Sequence, residues 1–144
     1  MTTFQEMVDI EEIKRLKARY FRYMDTKNWN GWKDIFTADA TMETPEVTQQ
    51  PFTKGVDAII EFCSSVLEGA TTIHHGHMPE ITITSPDSAA GIWALHDVLL
   101  WRTPNKHGWL SLHGAGHYHE TYERTPLGWR IKTLSLTRLW LERT

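Results

Sequence analysis

Four long stretches rich in β-branched and aromatic residues fill the chain after Ala70. Sequences typical of turns separate them: SPDS at 85–88, TPNKHG at 103–108 and TPLG at 125–128. This alternation predicts a meander of four strands at 73–84 (with a break near Pro79), 89–102, 109–124 and 129–142. Strands of this length twist and curl, so a sheet built from them encloses a hollow on its concave side.

The first half of the chain predicts helices that cover this hollow. Asp9 and Glu12 have the spacing of a capping box, so the first helix is expected to start at Asp9 and run to about Asp25. Its buried stripe is Ile13, Leu16, Tyr20 and Met24. The sequence therefore predicts an α+β fold in which helices precede the sheet.

Shorter elements are expected between the first helix and the sheet. Asn30 is predicted to cap a second helix that carries Trp32, Ile35 and Phe36. Asp39 and Ala40 then lead into a brief strand at 41–44, and two prolines mark a loop at 45–51. A third helix is expected over 55–68, where Gly69 ends it.

Composition narrows the class of protein. With 144 residues and no internal repeat or linker, the chain is expected to form one domain over residues 1–144. Its net charge of −3 offers no basic stripe, which argues against nucleic acid as a partner. No apolar run is long enough for a membrane span, and no targeting segment is visible. The single cysteine, Cys63, cannot form an internal disulfide, so a reducing, cytoplasmic compartment is expected.

The abundance of large rings points to a small-molecule pocket. The chain contains seven tryptophans and eight histidines, and an apolar pocket with a few polar groups requires residues of these types. Tryptophans that fill the core or an oligomer interface are the other interpretation.

Arg138 lies on the last predicted strand among apolar neighbours. The even-numbered residues of that strand share one face: Leu134, Leu136, Arg138 and Trp140. A buried guanidinium is costly without an anion, so we expect a carboxylate from the protein or a ligand opposite Arg138. The alternative is that the side chain reaches solvent near the strand end.

Asp97 raises the same question on the second long strand. It shares a face with Trp93, Leu95, Leu99 and Trp101. Burial would keep its carboxyl protonated and able to donate a proton, unless Arg138 pairs with it and holds it ionised. His96 points to the opposite face, which is also apolar, so strand parity leaves open which of the two residues enters the hollow.

Two clusters contain most of the histidines: His74, His75 and His77, and then His113, His117 and His119. The pairs His75/His77 and His117/His119 each place both rings on one side of a strand, so these pairs are candidate ligands for zinc or iron. No acidic ligand follows at a suitable spacing. Exposed histidines on the convex sheet face, within an oligomer contact, are the other interpretation, and we expect no metal.

Asp25 ends the first predicted helix, where the helix dipole disfavours a carboxylate. A histidine that donates its ring N–H to Asp25 would compensate, and such a pair would act as a general base. Tyr20 lies five residues earlier, about 140° around an ideal helix. It reaches the same pocket if the helix lies along the wall or bends near Asp25, and otherwise it is a core tyrosine.

Three segments together resemble a known family: IEEIKRLKARYFRYMDTKNWNGWKDIFTADATME, HHGHMPEITI and GAGHYHETYERTPLGWRIKTLSLTRLW. They are similar to the SnoaL-like branch of the NTF2-like superfamily, which contains polyketide cyclases, scytalone dehydratase and the bile acid dehydratases. The resemblance covers nearly the whole chain. It implies a cone-shaped α+β barrel, in which a curved mixed or antiparallel sheet wraps around the N-terminal helices, and a homo-oligomer, either a trimer or a dimer.

The bile acid dehydratases are the nearest template within this resemblance. Their catalytic tyrosine and aspartate, five apart on the first helix, match Tyr20 and Asp25, and the histidine that opens their first long strand matches His74. Their second aspartate and their strand-five arginine match Asp97 and Arg138. This match favours Asp97 over His96 as the pocket residue.

Scytalone dehydratase is similar at Asp25 and His74 but departs elsewhere. Its second histidine falls at Leu99, and its strand-four serine and asparagine fall at Gly116 and Tyr118. A substrate of that type is therefore not expected.

The resemblance implies a cofactor-independent lyase that dehydrates a hydrophobic cyclic hydroxy-ketone or enone. His74, oriented by Asp25, would remove a proton, Tyr20 would stabilise the enolate oxygen, and Asp97 would help protonate the departing hydroxyl. Arg138 would tune Asp97 or hold an anionic group. The alternatives are an isomerase or polyketide cyclase with the same dyad, a non-catalytic module that binds a small molecule, and a metal-dependent enzyme.

Overall fold

In the computed structural model, which describes residues 1–46 and 52–144, the chain forms three helices and six strands. The helices are α1 (Phe4–Asp25), α2 (Trp29–Lys33) and α3 (Val56–Val66). The strands are β1 (Phe36–Glu43), β2 (Phe52–Lys54), β3 (Thr71–Ser85), β4 (Ser88–Leu100), β5 (Ser111–Thr125) and β6 (Gly128–Arg143).

The strands form one mixed sheet with the order β2-β1-β6-β5-β4-β3. Neighbours pair antiparallel except β1 and β6, which run parallel. Strands β3 to β6 are the predicted meander, which is confirmed. The sheet is open, and α1 packs against β3 at one end of it. The expected α+β class is therefore confirmed, with a mixed sheet that does not close.

Helix α1 begins earlier than predicted, because a capping box forms upstream of Asp9. The Thr3 hydroxyl accepts a hydrogen bond from the Glu6 backbone N–H at 3.1 Å, and the Glu6 carboxylate accepts one from the Thr3 N–H at 2.6 Å. Asp9 instead lies on the buried stripe of the helix, where it accepts from Arg124 at 2.7 Å and from Trp129 at 3.3 Å. The prediction of Asp9 as the cap was wrong because these tertiary contacts bind its carboxylate.

The cap of α2 is also shifted from the prediction. The side chain of Asn28, not Asn30, accepts from the Gly31 N–H at 3.0 Å. Ile35 and Phe36 lie beyond the helix, since the Ile35 carbonyl accepts from the Ile131 N–H at 2.8 Å and Phe36 opens β1. Pairing with β6 thus extends the strand well before residue 41.

The segment after β1 and the third helix also differ from expectation. Of the predicted loop at 45–51, residues 47–51 lie outside the described residues. Helix α3 ends at Val66, two residues before the predicted end, and Gly69 follows with a φ of 71°.

Four register shifts interrupt the meander, two in the β3–β4 ladder and two in the β5–β6 ladder. The β3–β4 ladder shifts between His77 and Glu80, where Met78 has a φ of 36°, which confirms the predicted break near Pro79. The β5–β6 ladder shifts between Ala115 and Gly116.

The register shift between Ala115 and Gly116 changes the direction of one side chain. Gly116 pairs with Arg138 while Ala115 pairs with Trp140, so Leu139 is an extra residue in β6. Trp140 is consequently turned to the outer face, where it is 45% exposed and its ring lies 4.8 Å from that of His113. The prediction that Trp140 shares a face with Arg138 was wrong, because an inserted residue reverses strand parity.

The core lies between the helices and the inner face of the sheet. Its fully buried members come from all three helices and from several strands, and they include Ile13, Leu16, Trp32, Ile59, Leu112, Ile131 and Leu134. Within the described part of the chain, none of the helices has the length and apolar character needed to cross a membrane.

We predict that Gly116→Ala destabilises the protein by roughly 3 kcal/mol or more. A Cβ at this position would overlap the Thr137 carbonyl oxygen, a backbone atom that cannot rotate away. Urea denaturation measures the effect, with Ala115→Ser at the neighbouring outer position as the control. Equal stability of the Gly116→Ala and wild-type proteins would show that the bulge is not as tight as described.

Candidate active site

Asp25 and His74 form a hydrogen-bonded pair where the C-terminus of α1 meets β3. The Asp25 Oδ1 lies 2.6 Å from His74 Nδ1, and Oδ2 accepts the His74 backbone N–H at 3.0 Å. The expectation that a histidine would compensate the carboxylate at the helix end is confirmed. With Nδ1 donating to Asp25, Nε2 is the ring nitrogen left to take a proton.

Further contacts hold the Asp25 carboxylate in place. Thr72 donates its hydroxyl proton to Oδ1 at 2.9 Å, and the Lys27 ammonium donates to the Thr72 hydroxyl at 2.7 Å. Burial alone would raise the pKa of Asp25, but the hydrogen bonds from His74 and Thr72 outweigh it and hold this pKa below its ordinary value. Asp25 is therefore an ionised partner that fixes the orientation of the imidazole.

A glycine in the first histidine cluster permits the close approach of α1 to β3. A Cβ at Gly76 would lie 2.6 Å from two ring carbons of Phe21, so the Phe21 ring occupies the space of a side chain. Phe21 is one turn before Asp25. Sequence reasoning considered only the histidines of the HHGH segment and missed the role of Gly76 between them.

Asp97 and Arg138 form a second buried pair across the sheet. Arg138 Nη1 and Nη2 donate to the two carboxylate oxygens at 2.6 and 2.9 Å. Their side chains are only 3% and 5% exposed. The carboxylate expected opposite Arg138 is thus Asp97, which accepts two charge-assisted hydrogen bonds from the guanidinium.

Asp97, and not His96, is the one of these two β4 residues that enters the cavity. Asp97 is directly opposite His74 in the β3–β4 register and faces inward with it. His96 lies on the outer face, where its Nε2 is 2.7 Å from His113 Nε2.

A second glycine makes the Asp97–Arg138 contact possible. The two residues lie on β4 and β6, so the guanidinium crosses the intervening strand β5 at Gly114, which is opposite Asp97. A Cβ at Gly114 would lie 2.6 Å from Arg138 Nη1. The GAG sequence at 114–116 was the available signal, since two glycines on one face of a strand leave room for a neighbour's long side chain.

A cavity of about 570 Å³, including its solvent-open mouth, lies between α1, α3 and the inner face of the sheet. Four of the five predicted site residues line it: Tyr20, His74, Asp97 and Arg138. Asp25 reaches the cavity through its bond to His74. The remaining wall is mostly apolar and includes Met24, Met42, Phe62, Leu99, Leu112 and Leu136. Such a lining suits a hydrophobic ligand with few polar groups.

Two tyrosines stand side by side in the cavity wall. Tyr20 is 2% exposed, and its ring centroid lies 5.8 Å from that of Tyr118 at an interplanar angle of 76°. Burial raises the pKa of both phenols well above the ordinary value, so both stay protonated and can donate hydrogen bonds. Sequence reasoning missed Tyr118, although its parity with Gly114 and Gly116 places it on the same face.

One donor in this wall lacks a partner among residues 1–46 and 52–144. Arg138 Nε is buried and makes no hydrogen bond with any described group. A buried N–H without an acceptor is costly.

The other histidines lie away from the cavity. His75, His77, His113, His117 and His119 are on the outer side of β3 and β5. In the described ranges, no group of three or more His, Cys, Asp or Glu side chains could hold a metal ion. Cys63 lines the cavity, but burial raises the pKa of its thiol to about 12, so it remains protonated.

Comparison with known sequences places these features in a family context. Residues 5–135 match the family model described as a SnoaL-like domain. The chain is 27% identical over 136 residues to the probable cyclase FGR4 of Gibberella zeae, with 89% of each chain covered.

Solved structures share the fold. A crystal structure of a proposed scytalone dehydratase from Novosphingobium aromaticivorans has a TM-score of 0.83 at 16% identity, covering 96% of this chain and 89% of that one. The hexachlorocyclohexane dehydrochlorinase LinA-type3 of Novosphingobium barchaimii has a TM-score of 0.77 at 17% identity, with 96% and 91% covered. At these identities the likeness concerns the fold alone.

We predict that Arg138→Met lowers the free energy of unfolding by roughly 3–5 kcal/mol, because it leaves the Asp97 carboxylate buried without a partner. The double variant Asp97→Leu/Arg138→Met should recover most of this loss, since it removes both charges. Denaturant unfolding measures both effects. Lys33→Met, which breaks the exposed Lys33–Asp57 pair, is the control and should cost less than about 1 kcal/mol. Equal losses in the single and double variants would contradict the coupling.

Proposed function

Because the chain belongs to the SnoaL-like domain family, we propose that it is a cofactor-independent lyase that removes water from a hydrophobic cyclic hydroxy-ketone or enone. The observation that carries this proposal is the Asp25–His74 dyad, which opens on an apolar cavity. An imidazole fixed by a carboxylate is a general base suited to neutral pH. The cavity supplies a hydrophobic environment in which a bound ketone is separated from water.

The reaction begins with proton removal next to the ketone carbonyl. His74 Nε2 takes the proton, the C–H electron pair becomes the double bond of an enolate, and the negative charge moves to the carbonyl oxygen. Tyr20, protonated and on the cavity wall, donates a hydrogen bond to that oxygen. The enolate then re-forms the carbonyl and breaks the carbon–oxygen bond of the β-hydroxyl. His74 returns its proton to the departing oxygen, which leaves as water.

In this proposal, the Asp97–Arg138 pair binds the oxygen that departs as water. The sequence-based expectation made Asp97 a proton donor, but both of its oxygens accept hydrogen bonds from Arg138. We therefore propose that the Arg138 guanidinium, which lines the cavity, binds the leaving hydroxyl and that Asp97 acts through Arg138 by orienting it. The expected homo-oligomer and cytoplasmic location remain predictions from the sequence.

We predict that His74→Ala and Asp25→Asn each reduce kcat by about 10²–10⁴-fold, the usual contribution of a well-placed acid or base. The probe is 3-hydroxy-1-tetralone, whose dehydration to 1-naphthol is followed by absorbance and by the loss of one water in mass spectrometry. His75→Ala, at the adjacent outward-facing position, is the matched control and should retain wild-type turnover. Unchanged turnover in both dyad variants would contradict the proposed chemistry. No turnover by the wild-type protein on any cyclic β-hydroxy ketone would favour a binding module.

The similarity to a probable cyclase supports a second candidate. In a cyclisation, the same base would form an enolate that attacks a second carbonyl of the same molecule, and no water would be lost. An isomerisation would likewise conserve mass.

Heptane-2,6-dione separates this candidate from the first. A cyclase is expected to convert it to 3-hydroxy-3-methylcyclohexanone of unchanged mass, in a reaction lost in His74→Ala. A dehydratase without cyclase activity leaves the diketone unaltered while it consumes 3-hydroxy-1-tetralone.

A further inference from the structure

A lysine and a glutamate are completely buried directly behind the tyrosines of the cavity. Lys17 on α1 and Glu120 on β5 form an ion pair, and both side chains are 0% exposed. Neither residue lines the cavity, and the proposed chemistry does not use them. A buried pair of this kind is poor support for stability, because the desolvation of both charges offsets their attraction.

The Glu120 carboxylate is held on both oxygens. Lys17 donates to Oε1, and the Tyr122 hydroxyl donates to Oε2 at 2.5 Å. The Tyr122 oxygen in turn accepts the Trp93 indole N–H at 2.9 Å. These contacts fix the carboxylate, and through it they fix the position of the Lys17 ammonium.

The ammonium lies on the faces of both cavity tyrosines. Lys17 Nζ is 3.7 Å from the ring centroid of Tyr20 and 3.6 Å from that of Tyr118. The ring of Phe21 is farther away, at 4.9 Å. Lys17 thus bridges two phenol rings that stand nearly perpendicular to each other, and a desolvated cation in this position interacts strongly with the ring quadrupoles.

A cation at this site has a chemical consequence for the hydroxyls. When a phenol donates a hydrogen bond to an enolate, negative charge grows on the phenol oxygen and spreads into its ring. A positive charge on the ring face stabilises that change, so it makes the hydroxyl a stronger donor.

We propose that Lys17 is a positioning residue for the reaction, whose ammonium clamps the rings of Tyr20 and Tyr118 and strengthens the hydrogen bonds that they donate to the substrate oxygen. This inference rests on the proposed function, since it assigns the two hydroxyls to an enolate. It adds Tyr118 to the oxygen-binding site and explains why a charge pair lies behind an apolar cavity.

The titration of Lys17 gives the inference a pH signature. Burial lowers the pKa of Lys17 from 10.5 to about 8, and Glu120 limits the decrease. The groups that face its ammonium are Glu120, Tyr20 and Tyr118. Turnover should therefore fall as the pH rises through about 8.

Stability should change in the opposite direction. Between the folded value of about 8 and the ordinary value of 10.5, the unfolded chain binds more protons at Lys17 than the folded chain does. The free energy of unfolding consequently rises with pH in this window. A lysine with a purely structural role would not reduce turnover while the fold becomes more stable.

The test compares the wild-type protein with the double variant Lys17→Met/Glu120→Gln, which removes both buried charges together and retains an acceptor for Tyr122. We expect the double variant to remain folded, to lose roughly tenfold in kcat on 3-hydroxy-1-tetralone near neutral pH, and to lack the decrease in turnover near pH 8. Lys14→Met, which removes an exposed lysine one turn earlier on α1, is the matched control and should keep the wild-type profile.

A second measurement needs no turnover. In protein labelled with ¹³C-tyrosine, the ring resonances of Tyr20 and Tyr118 should shift with a midpoint near pH 8, and this step should be absent in the double variant. Absence of the step in the wild-type protein, or its persistence in the double variant, would overturn the inference whatever the activity. If the step is present but His74→Ala leaves turnover unchanged, the proposed function fails instead, and the catalytic role of Lys17 fails with it.

Discussion

The hydrogen bond between Asp25 and His74 is the contact on which the site depends, because it joins the last residue of α1 to the edge strand β3. A carboxylate at a helix C-terminus is unfavourable by itself. Here it accepts a ring N–H, a backbone N–H and the Thr72 hydroxyl, so the same oxygens that orient the imidazole also anchor the helix. The position of α1 in turn determines which side chains reach the cavity, since Tyr20 and Met24 project from its buried stripe and line the cavity wall.

Three glycines give neighbouring side chains and backbone the space that they occupy around the site. Gly76 lets the Phe21 ring lie on β3, Gly114 lets the Arg138 guanidinium cross β5, and Gly116 lies against the backbone of β6 at the bulge. In each case the missing Cβ is replaced by an atom of a neighbouring element. The sheet is therefore not a neutral scaffold, because its small residues decide where the charged side chains can go.

Much of this arrangement could be predicted from the chain alone. Turn sequences and β-branched runs indicated the four-strand meander, and strand parity placed Asp97 and Arg138 on apolar faces that required a charge partner. The predictions that failed did so for reasons that the local sequence does not show. Asp9 looked like a helix cap because its partners, Arg124 and Trp129, are more than a hundred residues away, and Trp140 looked inward because parity cannot reveal an inserted residue such as Leu139.

Charged groups around the cavity have bonded partners. Asp97 pairs with Arg138 and Lys17 with Glu120, all almost fully buried, and the partly buried Asp25 carboxylate is hydrogen-bonded to the His74 ring. In an apolar environment each pair creates a strong local field that water does not screen. A substrate that enters such a cavity meets dipoles already oriented, so little reorganisation is needed when charge develops during a reaction. Burying these groups costs free energy when the chain folds. Surrounding hydrogen bonds reduce this cost because they give the carboxylate oxygens partners, as Thr72 does at Asp25 and Tyr122 does at Glu120.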